Sequence, residues 1–133
     1  MIDAHCHLSD ERIFDQAEVL IARAIAAGVT RIGLGGTHPS EWERQKALKS
    51  KFPKQILTHF GIHPWWIEKY STADLRVMFT TLEQTLLQAD GLGETGLDFG
   101  QKRNPVLFSL QEEFFENQLA LAVNAKKPLI LHV

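Results

Sequence analysis

Residues 29–66, "VTRIGLGGTHPSEWERQKALKSKFPKQILTHFGIHPWW", place a charged segment between two short apolar runs. The runs "VTRIGLGG" and "KQILTHF" have the length and apolar content of buried strands. The segment "HPSEWERQKALKS" has Pro39 in its first turn and charged residues throughout, which is typical of an exposed helix. Two strands joined by a helix form a parallel crossover unit, so this stretch predicts an α/β fold.

The same alternation continues on both sides of this unit. A strand in "MIDAHCH" and a helix over residues 10–28 come before it, and that helix ends at Gly28. After it come a helix over 71–89 that Ser71 opens at a capping-box position, a short strand in "DGLGETGLDFG", a long helix over 104–127 and the apolar strand "PLILHV". The chain therefore predicts one domain of five strands and four helices. These elements form either a little over half of an eight-stranded barrel or a complete five-stranded open sheet.

The composition is that of an ordinary globular protein. The 133 residues include 14 basic and 16 acidic side chains, for a net charge of −2, so we do not expect nucleic acid to be held by a basic surface. Contacts with phosphate would have to be local, through a metal or a few placed groups. No apolar run approaches the roughly 20 residues of a membrane span, and we expect no membrane partner. A single cysteine and the absence of a signal-peptide pattern predict a cytoplasmic protein.

His5 and His7 lie two residues apart at the end of the first predicted strand. Alternate side chains of a strand point to one face, so both imidazoles share a face with Asp3, and Cys6 points to the other. Two neutral imidazoles at a strand end suit a divalent transition metal, with Asp3 as a supporting partner behind them. A pair of surface histidines is the alternative. We expect Cys6 to be a buried, unreactive thiol.

Glu94 and His132 follow the same logic on later strands. Glu94 lies at the exit of the fourth strand, where flanking glycines permit close approach of the backbone and leave the carboxylate unshielded. His132 ends a strand whose apolar residues predict burial on both faces. A solvated Glu94 and a hydrogen-bonded core His132 are the alternatives for each residue alone. Together the carboxyl ends of the strands carry four ligand-type residues: His5, His7, Glu94 and His132.

Other histidines and tryptophans have less context. His63 and Trp65 follow the third strand and are candidates for the mouth of the same site, with His63 touching substrate. Packing of Trp65 and Trp66 over a loop is the alternative. His38 and His59 have no comparable context: we expect His59, in mid-strand, to be structural, and His38 to begin the exposed helix.

Four motifs in order, "IDAHCHLSD", "GIHPWW", "GETGLDF" and "QEEFFENQLALAVNAKKPLILHV", resemble the successive signatures of the TatD family of metal-dependent deoxyribonucleases. The family belongs to the amidohydrolase-type barrels, and the resemblance covers the whole chain. It implies a TIM-type (β/α)8 barrel, of which residues 1–133 would form the N-terminal part with about five strands and four helices. It also implies 3′-to-5′ hydrolysis of DNA, on single strands or 3′ ends, by two divalent ions such as Zn²⁺, Mg²⁺ or Mn²⁺.

The resemblance also assigns residues by position. Metal ligands are His5 and His7 for the first ion, Glu94 as the catalytic carboxylate that bridges both ions, and His132 for the second. His63 and Asp98 fall in loops near the substrate phosphate, which implies substrate binding. Thr95 stands where an aliphatic residue is commoner in the family.

The family completes its site with a histidine from the sixth strand and an aspartate from the eighth, which these 133 residues do not include. We therefore expect them alone to bind metal weakly and to hydrolyse DNA poorly, because the aspartate would be the general base. A half barrel has two open sheet edges, which predicts self-association or complementation by a C-terminal fragment. The alternatives are a non-catalytic metal-binding fragment and an amidohydrolase-type enzyme that acts on an amide or ester.

Overall fold

A computed structural model of the chain describes residues 1–100 and 102–133, in which strands and helices alternate. The strands are β1 (Ile2–Cys6), β2 (Arg31–Gly36), β3 (Ile56–Phe60), β4 (Gly91–Gly96) and β5 (Leu129–His132). The helices are α1 (Ala17–Ala26), α2 (Pro39–Lys51), α3 (Pro64–Ile67), α4 (Thr72–Thr85) and α5 (Phe108–Ala125). Short 3₁₀ turns lie at Phe14–Gln16, Leu86–Gln88 and Pro105–Leu107. None of the helices in the described ranges is long and apolar enough to cross a membrane.

The five strands form one parallel sheet in the order β1-β2-β3-β4-β5, so strands that follow one another in the chain are neighbours. Gly35 lies beside His59, and Gly96 lies beside His132, so the carboxyl ends of the strands meet at one edge. A doubly wound open sheet reverses its strand order partway, whereas a barrel adds each strand to the last. The observed order therefore favours the barrel alternative.

Two apolar clusters join the helices to the sheet. One is formed by α1, α2, β2 and β3, with the buried residues Ala17, Ile21, Ile32, Leu34, Leu48 and Ile56. The other involves α2, α4, α5 and the later strands, with Trp42, Phe60, Ile62, Leu82, Leu86, Ala89, Leu92 and Ala122. Trp42 stacks on Phe60 with 5.4 Å between ring centroids. The packed helices hold the strands in fixed positions, and the carboxyl ends of those strands lie together at one edge of the sheet.

Several predicted elements differ from the observed ones. Helix α2 is not simply exposed, because Trp42, Gln45 and Leu48 form a buried face that its many charged residues hide in the sequence. The segment after β3, predicted as a loop, contains the short helix α3. The first predicted helix begins as a 3₁₀ turn and becomes α-helical only at Ala17. Ser71 caps α4 as predicted, since its hydroxyl accepts a hydrogen bond from the Asp74 N–H at 3.2 Å.

The two edge strands are exposed. The prediction that β5 is buried on both faces is wrong, because Leu131 is 49% exposed. Ile2 on β1 is 63% exposed. Each of these strands has a neighbouring strand on one side only, which removes the cover that a central strand receives. The apolar composition of a strand therefore does not reveal whether it lies at the edge of the sheet.

Candidate metal centre

The Glu94 carboxylate is the centre of a cluster of histidines. Glu94 lies within β4 rather than beyond its exit, and its side chain is 8% exposed. The preceding Gly93 has φ +137°, a conformation that other residues rarely adopt. A Cβ at this position would also lie 2.6 Å from the Ile130 carbonyl oxygen. The glycine thus lets β4 pass close to β5 and direct Glu94 into the site.

Two histidines, the first group of candidate ligands, lie beside one oxygen of Glu94. His5 Nε2 and His7 Nε2 lie 3.1 and 3.2 Å from Glu94 Oε2. The two imidazoles lie on one side of the chain as predicted, while Cys6 packs against the apolar cluster formed by α1, α2, β2 and β3. Burial raises the pKa of the Cys6 thiol to about 11, which makes it unreactive at neutral pH. On β2, Gly35 makes room for both rings, since a Cβ there would lie 2.5 Å from His5 Nε2.

The second group lies on the other oxygen. His132 Nδ1 is 3.0 Å from Glu94 Oε1, and His63 Nε2 is 3.5 Å from the same atom. The ring centroids of His63 and His132 are 4.2 Å apart. Within each group of three residues, one ligand atom per residue can be chosen so that all lie within 4.8 Å of one another. Imidazole nitrogens with a carboxylate oxygen are a donor set that fits Zn²⁺ and other divalent transition metals.

Hydrogen bonds to the far side of each ring distinguish His7 from His63. His7 Nδ1 is 3.1 Å from the Gly35 carbonyl oxygen, which can only accept, so Nδ1 carries a hydrogen. Any second proton therefore lies on Nε2, which faces Glu94, and its loss would leave Nε2 with the lone pair that a metal needs. His63 Nδ1 instead accepts the Trp65 backbone N–H at 3.1 Å, so in the neutral ring Nε2 carries the hydrogen. The His7 arrangement fits a metal ligand. The His63 arrangement fits a hydrogen-bond donor.

The charges of the cluster suit a cation. Burial alone would raise the pKa of Glu94, but hydrogen bonds from His63 and His7 and the nearby histidines lower it well below its usual range. Burial lowers the pKa of His63 and keeps its ring neutral. The hydrogen bond between His7 and Glu94 raises the pKa of His7. An ionised carboxylate among imidazoles is the arrangement that a metal ion can bind by displacing protons.

Asp98 lies beside this cluster, with its carboxylate turned to three neighbours. Its Oδ2 accepts hydrogen bonds from Trp65 Nε1 at 2.6 Å and Arg103 Nε at 2.7 Å, and lies 3.9 Å from His132 Nε2. Burial would raise the pKa of Asp98, but hydrogen bonds from the Gly100 N–H, Arg103 and Trp65 lower it to about 2. Asp98 is therefore ionised, and it positions Trp65 next to the histidines.

The expectation that Asp3 supports the imidazole rings is wrong. Its Oδ1 accepts from the backbone N–H of His5 at 3.3 Å and not from a ring nitrogen. The pairing of β1 with β2 is irregular between Asp3 and Cys6, which changes the placement that regular alternation predicts. The Gly35 carbonyl oxygen has the supporting role for His7 instead.

Two glutamines of α5 position the loops that carry these residues. Gln118 binds the backbone of Ile62 with both ends of its amide, accepting the N–H at 2.8 Å and donating to the carbonyl oxygen at 3.1 Å. Gln111 forms the same pair of bonds with the backbone of Asp98, at 2.8 and 3.1 Å. Ile62 directly precedes His63, so each glutamine holds one site loop.

Neither glutamine is among the site residues that the sequence motifs predict, although both leave a signal in the sequence. Gln111 and Gln118 share the buried face of α5 with Phe114 and Ala122. A polar amide at a core position of a helix needs hydrogen-bond partners, because burying it without them costs free energy. An apolar helical stripe interrupted by glutamine therefore indicates a side chain that holds another segment.

A cleft of about 650 Å³ opens beside Glu94, between the loops that follow β1, β2 and β3. His38, which begins α2 as predicted, lies in the wall of this cleft. Its Nδ1 accepts the Ser40 N–H at 3.2 Å to cap α2, and its ring stacks on Tyr70 at 5.6 Å. The other residues that line the cleft include Arg12, Arg44, Trp65, Trp66 and Lys69.

His59, predicted to be structural, is buried within β3, with Nδ1 3.2 Å from the Leu34 carbonyl oxygen.

Comparison with known proteins gives one consistent result. A family model described as TatD related DNase matches residues 2–133. An uncharacterized metal-dependent hydrolase, YjjV of Escherichia coli K12, is 32% identical over 132 residues, which are 98% of this chain and 49% of that protein. A 3′-5′ ssDNA/RNA exonuclease TatD of Dickeya dadantii is 34% identical over 134 residues, or 99% and 48%. The chain spans about half the length of the curated relatives it matches.

Solved structures give the same half-length match. The crystal structure of YjjV from Escherichia coli K12 superposes with a TM-score of 0.84 at 30% identity, covering 99% of this chain and 50% of that one. A TatD-family hydrolase from Entamoeba histolytica has a TM-score of 0.76 at 18% identity, which is a likeness of fold, and 49% of it is covered. The predicted partial barrel is thus confirmed, with five strands that match about half of each relative.

Proposed function

The chain belongs to the TatD related DNase family, and on this premise we propose that it forms the metal-binding part of a hydrolase that cleaves phosphodiester bonds of DNA. The proposal includes the 3′-to-5′ direction, single strands or 3′ ends as the substrate, and a site for two divalent ions. The observation that carries it is the position of Glu94, whose two oxygens each face a separate group of histidines.

In this proposal His5, His7 and Glu94 would hold one ion, and Glu94 with His132 would hold the second; Zn²⁺, Mg²⁺ and Mn²⁺ are the candidates. The bound ions would supply positive charge to the scissile phosphate and lower the pKa of a water molecule. Such charge is needed locally, because the chain as a whole has a net charge of −2.

The remaining site residues would bind and orient the substrate. His63 Nε2 carries its hydrogen and faces Glu94 Oε1 at 3.5 Å. With Glu94 engaged by an ion, this N–H would be available to donate a hydrogen bond to a phosphate oxygen placed over the cluster. Asp98 is the second predicted substrate residue. Since its carboxylate is already engaged by Trp65 and Arg103, we propose that it contributes by holding these side chains at the phosphate.

The two carboxylates that touch the histidines, Glu94 and Asp98, are both engaged by donors. A base that accepts a proton from water would therefore come from outside this cluster, and the family resemblance assigns it to an aspartate beyond these 133 residues. We propose that the 133 residues alone bind metal weakly and cleave DNA slowly. The exposed edges β1 and β5 are where a second copy or a complementing half would add strands.

A nuclease assay tests the proposal. The purified chain is incubated with Mn²⁺ and a 5′-labelled single-stranded oligonucleotide, a duplex, and chromogenic ester and amide substrates. We expect slow shortening of the single strand from its 3′ end, lost in Glu94→Ala and kept in Glu112→Ala, a matched change of an exposed glutamate on α5. Hydrolysis of the ester or amide but not of DNA would contradict the proposal that DNA is the substrate. No hydrolysis at all would favour a non-catalytic metal-binding role.

A further inference from the structure

Trp65 combines exposure with a position next to the histidine cluster. Its side chain is 46% exposed, although its ring centroid is 4.5 Å from that of the buried His63 and 5.8 Å from that of His132. Trp65 also lines the cleft beside Glu94. We propose that Trp65 is a stacking platform for the unpaired base of the nucleotide whose phosphate lies at Glu94, an inference that rests on the proposed function.

The indole is held rigidly in this position. Its Nε1–H donates to Asp98 Oδ2 at 2.6 Å, and the Arg103 guanidinium lies over the ring at 5.2 Å from its centroid. The backbone of Asp98 is in turn held by Gln111 through two hydrogen bonds. A ring that is already fixed loses little conformational entropy when a ligand stacks on it, which favours binding.

The position also matches the shape of a nucleotide. One sugar separates a base from its own phosphate, and Trp65 is the neighbour of two histidines that contact Glu94. A phosphate over Glu94 would therefore carry its base to the indole. Stacking on an aromatic side chain tolerates every base, because each has a π-face, but it requires the base to be unpaired. Trp65 would thus select single-stranded ends without selecting a sequence.

Trp66, the adjacent residue, provides a matched control. Its Nε1–H donates to Thr37 Oγ1 at 3.3 Å, and its ring packs against His38 at 4.8 Å. Lys69 Nζ lies 4.4 Å from the ring centroid. Trp66 also lines the cleft, but its ring packs against His38 and Tyr70 and not against the histidines that contact Glu94. A tryptophan that differs in position but not in chemistry separates base stacking from the general loss of an indole.

The test compares two ligands that differ only in the base, thymidine 5′-monophosphate and 2-deoxyribose 5-phosphate. Their affinities for the chain are measured by isothermal titration calorimetry with saturating Mn²⁺. Because base stacking is worth about 1–3 kcal/mol, we expect the nucleotide to bind at least about fivefold tighter. Trp65→Ala should abolish this preference, so that the ratio of the two affinities falls to about one. Trp65→Phe should keep most of it, and the matched change Trp66→Ala should leave it intact.

Equal affinity of the wild type for both ligands would overturn the inference, and so would an undiminished preference in Trp65→Ala. Either result leaves the phosphate site in place, so the proposed function would survive. Failure of the wild type to bind either ligand would instead contradict the proposed function, and this inference with it.

Discussion

Glu94 on β4 lies 3.1 Å from His5 on β1, although two strands separate β1 from β4 in the sheet. In a flat sheet, three strand spacings would hold their backbones about 14 Å apart. The contact therefore requires the sheet to curl, with both side chains on its concave face. Curvature of the partial barrel, and not proximity in the chain, brings the cluster together.

Gly35 is the residue of β2 over which His5 and His7 lie, and Gly35→Ala tests this packing. The new Cβ would lie 2.5 Å from His5 Nε2, and the imidazole can move away because it is the end of a side chain. We expect a folded protein whose affinity for Zn²⁺ falls at least about tenfold, as for other changes that disturb ligand orientation. Calorimetric titration with Zn²⁺ and thermal unfolding measure the two effects.

Gly33→Ala is the matched control on the same strand. There the new Cβ would lie 2.5 Å from the Ala4 carbonyl oxygen, which is backbone and cannot move aside. We expect loss of stability rather than a selective loss of metal affinity. Equal effects of the two variants on both quantities would contradict this account of the site.

Gln118 holds the backbone before His63, so Gln118→Ala should weaken both the fold and the site. The change leaves the Ile62 N–H and carbonyl oxygen without their buried partner, which costs about 1–3 kcal/mol of unfolding free energy. Urea unfolding of this variant measures the loss. Asn117 is an exposed neighbour on α5, so Asn117→Ala should change stability little. A similar loss in that variant would show that the hydrogen bonds between Gln118 and Ile62 are not the cause.

Thr95→Val should stabilise the protein. Thr95 is fully buried, and its Oγ1 has no hydrogen-bond partner among residues 1–100 and 102–133. Valine has nearly the same shape without the hydroxyl, whose burial without a partner costs about 1–3 kcal/mol. We expect the melting temperature to rise by a few degrees. The exposed Thr80, whose hydroxyl donates to the Arg76 carbonyl oxygen, offers Thr80→Val as a control that should show no gain.

Asp90 makes stability depend on pH at a distance from the cluster. Burial would raise its pKa, but hydrogen bonds from Lys49 and the Thr58 N–H outweigh burial and lower it. A lowered pKa stabilises the fold above the unfolded value of about 3.9, and this contribution is lost as the pH falls through the folded value. Urea unfolding between pH 7 and pH 3 should show a smaller decline for Asp90→Asn than for the wild type. An equal decline in the two proteins would show that the Asp90 carboxylate is not a source of the pH dependence.

Sequence patterns predicted the elements whose signals are local. The alternation of strands and helices, the Ser71 cap and the shared face of His5 and His7 all follow from neighbouring residues. The exposure of β5 and the curling of the sheet depend on strands distant in the chain, and so does the cleft position of His38. The hydrogen bonds of Gln111 and Gln118 to the site loops were not predicted, because both residues lie within an apolar helical stripe. The choice between barrel and open sheet needed the observed strand order.

Anomalous X-ray diffraction from crystals grown with Zn²⁺ tests whether Glu94 is shared by two metal sites. We expect two anomalous peaks, one near His5 and His7 beside Oε2 and one near His132 beside Oε1, both absent from Glu94→Ala crystals. A single peak, or peaks that persist in Glu94→Ala, would contradict this sharing of Glu94.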